Sequence, residues 1–276
     1  IGLVGHGGSG KTALAESVLY LTGVADRLGK VGDSSSVMDY DPDEIKRGHS
    51  INASVAFCEF DSNKINLLDT PGSNNFIADT PAVIRVVDGL DFVISATEGV
   101  QFYTEKIWKW ADELNLPRII FLNKMDHERA NTGPILETIK TKFKKTPIFI
   151  HLPQGAGDKF SGIVDLIENK YLSYNKGGDG KGKDGDVPGD ITDEMELSHA
   201  ELMEAVAEVD DELIEKYLES GELTAEEFSR GLKEGIQKGE LIPVLCGSAA
   251  ENIGVDLLLQ AMVKYLPSPE NRAPVT

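Results

Sequence analysis

Cysteine is scarce in this chain: its 276 residues include only Cys58 and Cys246, far apart and each inside an apolar run. That excludes a disulfide framework and a thiolate zinc site, and predicts two buried structural thiols. Long apolar runs are missing too. No stretch is long enough to cross a bilayer and none has the pattern of a signal peptide, so the expected address is cytoplasmic and away from membranes. Positive charge is in short supply, with 27 Lys and Arg against 46 Asp and Glu and a formal net charge of -19. Most of the excess sits in residues 190–240, which hold seventeen acids and four bases, so any RNA-facing surface is expected elsewhere in the chain or in parts outside it. Aromatics make up only 7%, and Trp108 and Trp110 share one helix pattern that reads as packing with one ring partly exposed. A hydrophobic fraction of 41% is enough for a packed core in one large domain or two.

Glycine is plentiful where it matters. Residues 1–21 run from an apolar strand pattern through glycines into a helix pattern, and Gly5-His6-Gly7-Gly8-Ser9-Gly10-Lys11-Thr12 has the form G-x-x-x-x-G-K-[ST]. Gly5, Gly7, Gly8 and Gly10 let the chain wrap tightly enough for its N–H groups to converge on phosphates. The following helix N-terminus adds free N–H groups and the positive end of its dipole. Lys11 is placed to reach β- and γ-phosphates, and the Thr12 hydroxyl to ligate Mg²⁺.

Residues 23–48 are polar and aperiodic, with turn chemistry at Gly32-Asp33-Ser34-Ser35-Ser36 and Asp41-Pro42-Asp43-Glu44. Val55 to Phe60 and Lys64 to Leu68 read as an antiparallel hairpin turned at Asp61-Ser62-Asn63. Its second strand delivers Asp69-Thr70-Pro71-Gly72, where Asp69 orients Mg²⁺ and Gly72 offers an N–H to the γ-phosphate. Then come a helix around Ile77 to Val87, a strand Asp91 to Ala96, a helix around Tyr103 to Leu114 and a strand Arg118 to Leu122. This alternation predicts an α/β fold with a mostly parallel sheet, helices on both faces and ligands at the strands' carboxyl ends. At one such end stands Asn123-Lys124-Met125-Asp126. The Asp126 carboxylate can accept from both N1–H and the N2 amino group of guanine, a donor pair adenine lacks. The Asn123 amide adds polar contacts and the Lys124 stem can lie over the base plane.

A helix around Ile135 to Phe143 and a strand Pro147 to Leu152 lead to a boundary at residues 153–157. Phe160 to Tyr174 reads as two short strands, and Asn175 to Asp190 as a mobile Gly/Lys/Asp tip. The acidic stretch is helical, with Leu202, Val206 and Val209 on one face, Leu213, Tyr217 and Leu218 continuing it, and a capping box at Thr224 to Glu227. Its carboxylates are solvated helix faces suited to a basic partner. The strand Leu241 to Cys246, the loop Gly247-Ser248-Ala249 and a helix Val255 to Leu266 close the chain before the linker-like Pro267-Ser268-Pro269.

With these segments in order, together with Phe160 to Leu166 and Pro243 to Ala249, the sequence resembles the GTP-binding domain of the translational GTPases. It is most similar to that of elongation factor G and elongation factor G-like proteins. The resemblance implies a P-loop NTPase G domain with an inserted α+β subdomain: residues 1–155 and 242–276 form the core and 156–241 the insert, with the family's later domains absent from this chain. It implies GTP or GDP bound with Mg²⁺, and hydrolysis of GTP on the ribosome for translocation or recycling. Ribosomal RNA and the stalk protein are the implied partners of the full-length protein, the latter through the acidic insert; nothing demands an oligomer, so a monomer is expected. The implied nucleotide contacts are Gly5, His6, Gly7, Gly8, Ser9, Gly10, Lys11, Thr12 and Ala13, then Asp69, Thr70, Pro71 and Gly72, then Asn123, Lys124 and Asp126, with Ser248 and Ala249 at the guanine carbonyl. Thr12, Ser50 and Asp69 are the implied metal residues, and Lys11, Gly72 and Ser73 occupy the catalytic positions.

Three residues depart from the family pattern. Ser50 replaces a threonine in Arg47-Gly48-His49-Ser50-Ile51 and keeps its hydroxyl. Gly8 stands where an Asp is usual. Ser73 replaces the histidine that positions the attacking water, and losing a positioned catalytic group commonly costs ~10²- to 10⁴-fold in rate. His6 and His49, on loops expected near the γ-phosphate, are the candidate substitutes. If none acts, the chain is a GTP-gated ribosome binder with weak or absent hydrolysis.

Overall fold

A computed structural model of the chain describes residues 1–32 and 35–271; Asp33 and Ser34 of the predicted turn, and the last five residues, lie outside them. The first apolar run forms β1 (Gly2–Val4), and α1 (Lys11–Leu21) begins directly after the glycine-rich loop. The aperiodic segment contains a helix that the sequence reading missed, α2 (Pro42–Arg47). Its signal was present: Asp41 caps the helix by accepting from the Asp43 N–H at 2.7 Å, Pro42 opens it, and Glu44 completes a capping box. The hairpin forms as expected from β2 (Ser54–Phe60) and β3 (Asn63–Asp69), but its turn is only Asp61-Ser62, at φ 47° and 59°. Two consecutive left-handed residues match the right-handed twist of the strands.

Next come α3 (Thr80–Val86), entered through a 3₁₀ turn at Asn74–Asp79, then β4 (Leu90–Ser95), α4 (Phe102–Glu113), β5 (Arg118–Asn123) and α5 (Gly133–Thr138), which runs on as a π turn to Phe143. The predicted strand Pro147 to Leu152 divides into β6 (Thr146–Phe149) and β7 (His151–Gln154), which belong to different sheets. Ile150 is the crossing point: its N–H donates to Val244 in one sheet, and its carbonyl accepts from Leu166 in the other. An unbroken apolar run serves both sheets and so hides the change. Beyond it lie β8 (Gly162–Asp165), β9 (Lys170–Ser173), β10 (Lys183–Gly185), α6 (Thr192–Ala207), α7 (Asp211–Ser220), α8 (Ala225–Gln237), β11 (Leu241–Cys246) and α9 (Val255–Tyr265).

The large sheet has the order β2-β3-β1-β4-β5-β11-β6, parallel except for β2; the small one, β10-β9-β8-β7, is antiparallel throughout. Leu14 and Val18 of α1 share one core with Leu258 and Met262 of α9, while Ile84, Ile107, Trp108 and Ile135 from α3, α4 and α5 share another with strand residues such as Phe92 and Leu122. Trp108 is buried, stacked on Phe143 at 4.3 Å with the Arg118 guanidinium 4.9 Å from its centre, and Trp110 is half-buried, as the sequence suggested. Both cysteines are buried, and burial pushes their thiols up in pKa. No helix among the described residues is long and apolar enough to cross a membrane.

Two expectations fail. Leu218, predicted to extend the apolar face of α7, is 78% exposed, while Leu213 is buried and Tyr217 packs against the core. Residues 175–190, expected to be a mobile tip, supply β10, and the Gly177 N–H donates to Glu251 O at 2.9 Å. Composition pointed to disorder, but backbone hydrogen bonds and the Asp256 carboxylate, which accepts from Gly182 N–H and Tyr174 OH, hold the segment.

Asp91, in β4, is fully buried between Leu3 and Ile119, and neither carboxylate oxygen makes a well-formed hydrogen bond among the described residues. Burial pushes its pKa well above the usual carboxylate range. The unfolded chain therefore releases this proton first. Above about pH 4 folding opposes ionisation, and stability falls by up to about 1.4 kcal/mol per pH unit until the folded carboxyl ionises. Asp91→Val is expected to raise stability by about 2–4 kcal/mol at pH 8 and by less at pH 4.5, read by chemical denaturation. An equal gain at both pH values would remove the ionisation account.

Candidate functional site

The carboxyl ends of β1, β3 and β5 bring the predicted motifs together. In the loop after β1, the Lys11 ammonium is buried and donates to the carbonyls of Gly5 and His6, both at 3.1 Å. Burial lowers its pKa, and the charges of Asp69 and Asp39 oppose that shift. Gly10 has φ 96°, and a Cβ there would overlap the Asn123 amide nitrogen, so this position needs glycine for both reasons. That amide is a three-way brace. Nδ2 donates to Ser9 O at 2.8 Å, while Oδ1 accepts from the N–H groups of Lys124 and Ala249, each at 2.9 Å.

Below the loop lies a chain of oxygen atoms. The Thr12 hydroxyl donates to Asp69 Oδ2 at 2.6 Å and lies 3.0 Å from Ser50 Oγ, which donates to Asp39 Oδ1 at 2.8 Å. Asp39 was not foreseen. It is set in place by Glu16 of α1, whose carboxylate accepts from Val37 N–H (2.7 Å) and Met38 N–H (2.9 Å). Asp69 Oδ1 and Asp39 Oδ2 are buried and unpartnered among the described residues. Burial raises both carboxyls in pKa, Asp69 to about 6, although Lys11 and Thr12 pull it back. Two hydroxyls and two carboxylates, two of whose oxygens lack partners, form a hard-donor set that fits Mg²⁺. No group of three or more His, Cys, Asp or Glu residues able to hold a metal occurs among the described residues. A cation here would therefore depend on the hydroxyls and on ligand oxygens.

Gly72 packs so closely on the loop that a Cβ would lie 2.6 Å from Lys11 Nζ and 2.7 Å from Gly7 N. Its neighbours in the motif are tied inward: Thr70 Oγ1 donates to Leu3 O at 2.8 Å, and Pro71 is buried. A cleft of about 260 Å³ is lined by Gly7, Gly8, Gly10, Lys11, Thr12 and Ala13, and by His49, Ser50, Gly72 and Ser73 across from them. His49 thus shares the cleft with Ser73. His6 does not line it: its ring is buried, with Nε2 2.9 Å from Glu98 Oε2, and burial lowers its pKa. At Gly8, with φ 82°, a Cβ would meet nothing within 4 Å, so the space there does not require glycine.

At the other end, Lys124 adopts φ 67°, and Asp126 Oδ1 is buried without a partner among the described residues. Ser248 is buried, and its hydroxyl accepts from Glu251 N–H at 3.2 Å. The Ala249 N–H donates to Asn123 Oδ1 at 2.9 Å, and the Ala249 carbonyl accepts from Ser17 Oγ at 2.6 Å. A cavity of about 770 Å³ lies between α6, α7, α8 and the end of α9 and contains none of these residues.

Known proteins share this sequence pattern and fold. Residues 1–268 match the family described as elongation factor Tu GTP binding domain. The chain is 38% identical over 275 residues to elongation factor G of Thermotoga sp. (strain RQ2), covering 100% of this chain and 40% of that protein. It is 37% identical over 276 residues to elongation factor G 2 of Syntrophus aciditrophicus (strain SB), covering 100% of this chain and 41% of that one. A crystal structure of a Thermus thermophilus protein superposes with a TM-score of 0.91 at 33% identity, over 98% of this chain and 40% of that chain. The chain therefore spans about two fifths of the length of these relatives. By sequence and by fold, it belongs to the family of elongation factor Tu GTP-binding domains.

Proposed function

We propose that the chain binds GTP and GDP together with Mg²⁺, and is the GTP-hydrolysing switch of an elongation factor G-like factor acting on the cytoplasmic ribosome. One observation carries the reading: Lys11, the Thr12, Ser50, Asp39 and Asp69 oxygens, and the unpartnered Asp126 carboxylate converge on one edge of the sheet. Gly5 to Ala13 would enclose the phosphates, with Lys11 and the Gly72 N–H at the γ-phosphate and Asp126 on the base. Thr12 and Ser50 would hold Mg²⁺, with Asp69 and Asp39 behind them; the bound cation would offset charge on the phosphate oxygens. Residues 156–241 act as an inserted subdomain on the core formed by 1–155 and 242–276. Its acidic helices would face the ribosomal stalk protein, and the factor would work as a monomer.

Ser73 favours a second reading, a GTP-gated ribosome binder with slow hydrolysis, because a hydroxyl cannot carry imidazolium charge. Single-turnover GTP hydrolysis by the full-length protein, with and without ribosomes, separates the two. The expected result is GTP-dependent ribosome binding with stimulated hydrolysis. Tight binding without stimulation would establish the second reading, and no nucleotide binding would remove both.

A further inference from the structure

The cleft that contains Ser73 is backed by a thin wall. Gly7 and Gly72 line that cleft and also a separate cavity of about 390 Å³, whose other walls are His6, Glu98, Gln101, Phe102 and Tyr103. Two glycines contribute no side chains, so the stiffness of the wall comes from bonds made behind it. On one side, His6 is fixed by Glu98 Oε2 at 2.9 Å, and its Nδ1 lies 3.4 Å from the Thr104 hydroxyl. A neutral ring with its proton on Nε2 satisfies both, donating to the carboxylate and accepting from the hydroxyl. On the other side, the Tyr103 hydroxyl donates to Ser73 O at 3.4 Å. Both holds come from one short segment, residues 98–104. Glu98 is itself steadied by Gln101 Nε2, which donates to its carbonyl at 2.6 Å. The His6 carbonyl is also one of the two acceptors of Lys11 Nζ, so a tilt of His6 is transmitted to Lys11.

We infer that Glu98 is a positioning residue for the γ-phosphate end of the nucleotide cleft: by holding His6, and in concert with Tyr103 on Ser73, it keeps the Gly7–Gly72 wall and Lys11 in register. This rests on the nucleotide reading above. Glu98 is half-exposed, so removing its carboxylate uncovers little apolar surface, and the predicted effect falls on the third phosphate rather than on folding. On that reading the Gly72 N–H meets only the third phosphate, while Lys11 also reaches the second, so the loss is expected to be larger for a triphosphate than for GDP.

The test is equilibrium binding of fluorescent GDP and of a β,γ-imido analogue of GTP to the full-length chain carrying Glu98→Ala, Glu98→Gln or Tyr103→Phe. Glu98→Ala and Tyr103→Phe are each expected to weaken the triphosphate analogue about tenfold and GDP less than about twofold. Glu98→Gln, whose amide oxygen still accepts from His6 Nε2–H, is expected to stay within about threefold of the unmodified protein. Equal losses for both nucleotides, no loss for either, or a Gln variant as weak as the Ala variant would each overturn the inference while leaving nucleotide binding established. An unmodified protein that binds neither nucleotide would instead sink the nucleotide reading, and this inference with it.

Discussion

Asp126→Asn is expected to weaken GTP binding by about 10²- to 10³-fold and to improve binding of xanthosine triphosphate. The carboxylate has a buried oxygen with no partner among the described residues, at the end of β5 beside the braced Asn123. An ionised carboxylate can accept two hydrogen bonds from guanine, one from N1–H and one from the 2-amino group. The asparagine amide replaces one acceptor with a donor, which then faces a donor on the base. A charge-assisted hydrogen bond is worth about 1.5–3 kcal/mol, and each 1.4 kcal/mol is a tenfold change in affinity. Xanthine carries a carbonyl where guanine carries the amino group, so the amide donor finds a partner again. Because that oxygen holds nothing in the protein, the substitution is not expected to unfold it. Titration with both nucleotides decides the matter: unchanged GTP affinity would take Asp126 out of base recognition.

Ser73→His is expected to raise the ribosome-stimulated single-turnover rate by about 10²-fold with little change in GTP affinity. Ser73 precedes the 3₁₀ turn at Asn74–Asp79 in an extended conformation, φ -87° and ψ 143°, and its side chain makes no capping bond. Substitution there breaks nothing, and the cleft it borders also holds Thr12, Ser50 and Lys11. A longer imidazole can reach a water that the hydroxyl cannot. His49 borders the same cleft and is exposed, so the unmodified protein has an imidazole available there. A fast unmodified protein that gains nothing from Ser73→His but slows with His49→Ala would assign the water to His49. His6 is a poor candidate for this role, since its ring is engaged by Glu98 and Thr104.

The glycine-rich loop, Asp69 to Gly72 and Asn123 to Asp126 were legible in the sequence because each is a short run whose spacing carries its chemistry, and each sits at the end of a recognisable strand. Asp39 was not legible. Its place depends on Glu16 catching Val37 and Met38 from another element, a contact with no local pattern. The helix α2 was legible in principle, through Asp41, Pro42 and Glu44, but those residues also suit a turn. The sheet change at Ile150 and the exposure of Leu218 illustrate a different limit. Periodicity reports that a side chain is apolar, and only packing decides which partner it meets or whether it meets one.

The polar ties between residues 157–182 and the loops around Met125 and Asn252 bear on how such a chain can be shortened. Gly157 N–H donates to Met125 O at 2.8 Å, Asn252 Nδ2 donates to Gly178 O at 3.1 Å, and Asp256 accepts from Tyr174 OH and Gly182 N–H. Excising residues 156–241 to make a minimal nucleotide binder would strip two donors from the Asp256 carboxylate at the start of α9. The excision would also release the loops after β5 and β11 that carry Met125 and Asn252. These residues therefore brace the loops after β5 and β11 as well as forming an appendage, and a truncated version needs replacement partners for Asn252 and Asp256 to be grafted in from elsewhere.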